Sequence, residues 1–343
     1  MLRLTDTLVF DCDGVLIDSR DSYDRVIETT IEYLLSKIFG LRLNPNFPVQ
    51  QLVEVLRGTG QYNNAIDATA AILVSITANL PSDKVAKCLE TRDESVETLQ
   101  ETLESEAFVG GVLRLLEMAS EGYSAFVEAA KAAVPNVSPC VDELLKRLGY
   151  PGGPASSLLT RVFDEYYYGP VLLKKLHGLD PVVGCKTGLI DSEKIIVSTE
   201  TLRSLSSLLP KGRIGIISGR SQLGTEYTLG ELTKFFQHGP TVFLEDHDPN
   251  LDVAQPIPGK PSPESLLSVA EQARTSKTIL YVGDSAEDMM MISNARRVRP
   301  SFAFCGITGV AYGQDRASVL AELGADAILG SVNDLPALLS SLR

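Results

Sequence analysis

Two rhythms of apolar and polar positions alternate along this chain. Residues 7–11, which lead into LVFDCDGVLIDS (8–19), are apolar almost to the last, as expected of a strand buried on both faces. Beyond residue 20 the apolar positions move to helical spacing. In RDSYDRVIETTIEYLLSKIFG, Val26, Ile27, Ile31, Leu34, Leu35 and Ile38 share one face, and Gly40 suits a C-terminal stop. Pro45 and Pro48 mark a loop, and a helix is predicted over 64–79. SDKVAKCLETRDESVETLQETLESEAFVGGVLRLLEMASEG predicts one or more long helices. Residues 134–154, rich in Pro and Gly, read as loops around one helix at 141–148, and SLLTRVFDEYYYG reads as a further amphipathic helix.

After about Glu193 the rhythm changes again. Short β-branched runs, RIGIIS (213–218), TVFLE (241–245), TILYVGD (278–284), FAFCGI (302–307) and AILG (327–330), alternate with helical patterns such as PESLLSVAEQARTS and SVLAELG. Strands alternating with helices predict an α/β fold with a doubly wound, Rossmann-like parallel sheet and helices on both faces. The first strand shares the buried character of the later ones. The expected organisation is therefore an α/β core from residues 1–20 and 195–343, interrupted by a large, mostly α-helical cap at 21–194. No internal repeat or low-complexity tract interrupts it.

Composition narrows the function classes. The chain has 343 residues, 44% hydrophobic and 22% charged, with a formal charge of −13. A field of that sign repels nucleic acid and anionic membranes, so neither is expected as a partner. It leaves room for a small anionic substrate if a metal or a few placed cations reverse the sign locally. With no charge-free apolar stretch of about 18 residues and no signal-peptide pattern, a cytoplasmic location is expected. Cys12, Cys88, Cys140, Cys185 and Cys305 are scattered and read as free, buried thiols rather than a zinc site or disulfide framework. His177, His238 and His247 sit next to no nucleophile signature.

The chemistry gathers where ligands bind in open parallel sheets, beyond the carboxyl ends of the strands. The first strand ends in Asp11-Cys12-Asp13-Gly14, the 213–218 strand in Ser218-Gly219-Arg220, and the 278–284 strand in Asp284-Ser285-Ala286-Glu287-Asp288; the loop PGKPSPESL supplies Lys260. Carboxylates crowded together repel unless neutralised. A hard cation would do so, and Mg²⁺ takes one or two carboxylates, waters and a substrate phosphate. One carboxylate could then attack phosphorus, and a second could move protons. A lysine and a hydroxyl could hold the phosphoryl oxygens.

FDCDGVLIDS, IISGR, GKPSPESL and VGDSAEDMMM resemble, in order, the four motifs of the haloacid dehalogenase-like (HAD) hydrolases. Insertion between the first and second motifs is similar to the helical-cap subgroup that includes phosphoglycolate phosphatase. SGR with EYTLGEL, EDHDPN…KPSPESLL, and RGTGQYNNAIDAT (57–69) resemble a branch with phosphoglycolate-phosphatase-like and histidinol-phosphatase-like members. The resemblance implies Asp11 as nucleophile and Asp13 as general acid/base. It further implies Ser218 and Lys260 as phosphate ligands, with Mg²⁺ held by Asp11, the Asp13 carbonyl and Asp284, and Asp288 completing or supporting the metal shell.

The expected activity is Mg²⁺-dependent hydrolysis of a small phosphorylated metabolite through an aspartyl-phosphate, with the cap closing over the site. Gly14, Ser218, Gly219, Lys260 and Arg220 are candidate phosphate or substrate contacts, although Arg220 could equally pair with a cap carboxylate. Arg57, Asn63 and Asn64 could face substrate from the cap, although a capped helix start accounts for the asparagines equally well. The alternatives are a phosphomutase of the same fold and a non-catalytic binding protein. Two strings are decoys: GCKTG (184–188) has Cys185 where the ATPase phosphorylation sequence needs aspartate, and the run Tyr166–Tyr168 reads as a core stripe.

Overall fold

The structure is a computed structural model and describes residues 2–62, 64–90, 95–247, 257–275, 277–310 and 316–342. The chain divides into two compact units, residues 1–20 with 190–343, and residues 21–189. The chain rejoins the first unit at Ile190, ahead of residue 195. The reason is a pair of two-residue strands that sequence periodicity is too short to reveal: Ile17–Asp18 runs antiparallel to Lys194–Ile195.

The first unit is built on six parallel strands. In chain order the strands are β1 (Thr5–Phe10), β2 (Ile17–Asp18), β3 (Lys194–Ile195), β4 (Ile214–Ser218), β5 (Thr241–Phe243), β6 (Thr278–Gly283), β7 (Phe302–Ile307) and β8 (Ala327–Leu329). The sheet order is β5-β4-β1-β6-β7-β8, and every neighbouring pair in it is parallel. Strand alternation sends successive side chains to opposite faces. Leu8, Phe10, Ile214, Ile216, Leu280, Val282, Ala303 and Cys305 pack on one face with Leu202, Leu205, Leu335 and Leu339. Val9, Ile217, Ile279, Tyr281, Phe302 and Phe304 pack on the other with Leu266, Val269, Met289, Ile292 and Ala295. Helices therefore cover both faces, and the strands read as unbroken apolar runs because neither face meets water.

The second unit is helical. Its helix Ala65–Asn79 is buried on all sides, which an amphipathic surface helix is not. It packs against the helices Val49–Gly58, Glu106–Leu116, Tyr123–Ala133, Ser138–Leu148 and Leu158–His177. The long charged stretch resolves into separate helices, Ser82–Glu90, Ser95–Leu103 and Glu106–Leu116. The helix predicted to end near Tyr168 continues to His177 across a kink, where Gly169 takes a φ of +72° ahead of Pro170. Tyr167 and Tyr168 are buried, and Cys12, Cys140 and Cys305 are buried free thiols, with Cys185 half-buried. The Cys88 side chain lies outside the described residues.

Candidate active site

The strand order makes the site. From β1 the chain winds outward through β4 and β5 on one side, then returns to wind through β6, β7 and β8 on the other. Connections leaving neighbouring strands in opposite directions open a crevice at their carboxyl ends. The three residues that end or follow the central strands are Asp11 (β1), Ser218 (β4) and Asp284 (β6).

Asp11 is buried, and its backbone N–H donates to the Val282 carbonyl at 2.8 Å, so β6 sets its height. Its Oδ1 accepts from the Cys12 N–H at 2.8 Å and lies 3.0 Å from the Lys260 ammonium. Neither contact uses Oδ2. The same ammonium sits 2.8 Å from Asp288 Oδ1, which also accepts from the Tyr281 hydroxyl at 2.9 Å. Asp288 Oδ2 accepts from the N–H of Asp284 (3.1 Å), the N–H of Ser285 (3.1 Å) and the Ser285 hydroxyl (2.8 Å). Ser285 caps the helix Ala286–Val298 in a reciprocal box with Asp288. With both oxygens so occupied, Asp288 holds Lys260 and the loop in place.

Charge in this cluster is unbalanced. Burial, opposed by Lys260, leaves the Asp11 carboxyl well above the usual aspartate range. Burial and the neighbouring Asp288 push Asp284 up to about 6, against the pull of Arg316. Lys260 keeps its proton: burial acts against the ammonium, but Asp11 and Asp288 outweigh it. For Asp288, burial is outweighed by Lys260 and by its hydrogen bonds, which hold it below the usual range. One oxygen from each of Asp11, Asp284 and Asp288 lies within 4.8 Å of the others. An all-oxygen, electron-rich donor set of this kind suits Mg²⁺, and a cation there would offset the burial and repulsion that raise the Asp11 and Asp284 carboxyls.

Glycines make the crowding possible. Gly14 turns with a φ of +75°, and a Cβ on it would stand 2.3 Å from Asp284 Oδ2. A Cβ on Gly283 would stand 2.6 Å from Asp288 Oδ2. Arg316 Nη1 donates to the Asp284 carbonyl at 2.8 Å and to its Oδ2 at 2.6 Å. Glu287 is buried beside the cluster, its Oε2 without a hydrogen-bond partner among the described residues. Burial, then Asp288, lift it to about 8. Arg316 was not among the expected site residues; no local pattern marks a contact made across the fold.

Asp13 projects beside Asp11 and is one-third exposed. The Arg220 guanidinium lies between two carboxylates of its own unit. Nε and Nη2 donate to Asp13 Oδ1 at 3.0 and 2.8 Å, and Nη1 and Nη2 donate to Glu193 Oε2 and Oε1 at 2.8 and 2.6 Å. A buried guanidinium must be neutralised, and a fully buried Glu193 does it. Glu193 had no marker in the sequence except its place just before β3. Ser218 is buried, its hydroxyl accepting from the Arg220 N–H at 3.2 Å. Gly219 beside it is exposed, with open space where a side chain would stand.

In the helical unit, Asn64 is a helix cap, its side chain accepting from the Ile66 N–H at 2.8 Å. Arg57 forms an ion pair with Asp24 at 3.1 Å. Asn63 and residues 248–250 lie outside the described residues. Among the described residues, no helix is long and apolar enough to cross a membrane.

An α/β class with a doubly wound core and an inserted helical unit is thus defined by strand order and chain path. The chain is similar to several solved structures. A Northeast Structural Genomics Consortium target aligns over 98% of this chain and 99% of its own, at 20% identity and a TM-score of 0.68. Phosphatase Tt82 from Thermococcus thioreducens aligns over 93% of this chain and 99% of its own, at 22% identity and a TM-score of 0.48. A HAD hydrolase of family IA, variant 3, from Entamoeba histolytica aligns over 98% and 100%, at 12% identity and a TM-score of 0.42. The first of these likenesses speaks for the fold. No protein-family model and no curated protein matches the sequence.

Proposed function

We propose that this chain is a Mg²⁺-dependent phosphatase of the haloacid dehalogenase-like type, hydrolysing a small phosphate monoester. The observation that carries the reading is the cluster at the β1–β6 crevice. There Lys260 joins Asp11 to Asp288, and Asp284 faces them with an elevated carboxyl. Asp11 and Asp284, with the Asp13 carbonyl, would hold Mg²⁺, which supplies positive charge to the phosphoryl oxygens and to the nucleophile.

Asp11 Oδ2, free of the contacts that fix Oδ1, attacks phosphorus as the ester P–O bond breaks. The leaving oxygen takes a proton from Asp13. Water then attacks the acyl-phosphate and gives a proton to Asp13, the bond from phosphorus to Asp11 breaks, and inorganic phosphate leaves. Lys260, Ser218 and the exposed backbone at Gly219 line the phosphoryl oxygens, where preorganised donors contribute most. Asp11→Asn tests the reading with p-nitrophenyl phosphate and Mg²⁺. Turnover should fall to background while the circular dichroism spectrum and thermal midpoint persist. Substantial remaining turnover by the variant, or none by the wild type across a broad panel of phosphate esters, would sink it.

A further inference from the structure

Three segments that meet nowhere in sequence converge on one guanidinium. Asp13 lies in the loop after β1, Arg220 follows β4, and Glu193 sits just before β3, where the chain returns from residues 21–189. Glu193 takes the end of the guanidinium, one oxygen to each Nη, and its Oε2 also accepts from the Thr228 hydroxyl at 2.8 Å. That fork fixes the guanidinium plane. The edge left over, Nε with Nη2, is the one that meets Asp13. The Arg220 N–H also holds Ser218. The side chains of Arg220 and Glu193 are both 0% exposed, so water cannot replace either partner.

We propose that Arg220 and Glu193 are positioning residues for the reaction: they aim the Asp13 carboxylate, and the clamp ties it to the returning linker. The inference rests on the phosphatase reading, in which Asp13 moves the protons. The effect of Arg220 on the reaction passes through Asp13. Lysine cannot replace it, because a single ammonium cannot present one edge to each of two carboxylates.

The test is a set of cycles with p-nitrophenyl phosphate and Mg²⁺. Arg220→Ala should lower kcat by about 100-fold, the order expected for a misplaced catalytic group, while KM changes far less. Arg220→Lys should recover only part of the loss. In the Asp13→Asn background, adding Arg220→Ala should cost nothing further, because the group it aims is already gone. Glu193→Gln keeps the volume of the side chain and serves if Arg220→Ala fails to fold. It should lower kcat in the wild type and leave the Asp13→Asn enzyme unchanged. Equal losses in both backgrounds, or a wild-type kcat in the folded variants, would overturn the inference while the phosphatase reading stands. Absence of turnover by the wild type would overturn both.

Discussion

Gly14 shows how much of this site is decided by single atoms. Its positive φ is a turn requirement readable from DCDG, but the close approach of Asp284 is not, because the two residues meet only through β1–β6 pairing. Gly14→Ala should therefore do two things. The strained backbone should cost about 1–3 kcal/mol, measured by urea denaturation. The new Cβ should also displace the Asp284 carboxylate, so the variant should need more Mg²⁺ for half-maximal turnover. An unchanged Mg²⁺ requirement would mean that Asp284 is not a ligand. Asp11, Asp13, Asp284 and Lys260 were legible as chemistry because apolar strands ending in carboxylates have no packing rationale. Arg220 was legible only as a choice between roles, and Glu193 not at all. An ion pair between residues 27 apart leaves no periodic trace.

At the scale of elements, the helix Ala286–Val298 does two jobs with one turn. Its cap, Ser285, satisfies the Asp288 N–H, and the Asp288 side chain returns the bond while holding Lys260. Ser285→Ala should cost about 0.5–2 kcal/mol as a lost N-cap. It should also lower kcat, since Asp288 would lose a donor and Lys260 its fixed partner. A stability loss with unchanged kcat would show the cap to be structural only. The strands were legible because β-branched runs bounded by polar strand ends are distinctive. Among the elements missed, β2 and β3 are each two residues long, too short for a period to repeat. Likewise the helix past Gly169 was missed, because glycine followed by proline marks a stop and only the packing around it carries the chain onward.

The whole molecule carries a charge of −13, and its candidate site adds carboxylates to that field. Cation binding should therefore stabilise the fold as well as serve the chemistry. A cation bound only by the folded state adds about 2.7 kcal/mol at 100 times its dissociation constant. The thermal midpoint should rise with Mg²⁺ in the wild type and fail to rise in Asp284→Asn. EDTA should reverse the shift. A midpoint insensitive to Mg²⁺ in the wild type would count against a cation at the β1–β6 crevice.

What the sequence determined by itself was the class of the fold and which polar residues stand at the strand ends. Periodicity of two and of 3.6 follows from local backbone geometry, and carboxylates at apolar strand ends are local too. What only tertiary structure decided was which side chains meet at the crevice and what each one contacts there. Strand order brings β1 and β6 side by side, so Asp11 and Asp284 face one crevice. Five donors engage the two oxygens of a buried Asp288. Arg220 is paired with two carboxylates, one of them 207 residues away in the chain. Those contacts depend on distances and desolvation among residues far apart in sequence, which no local pattern encodes.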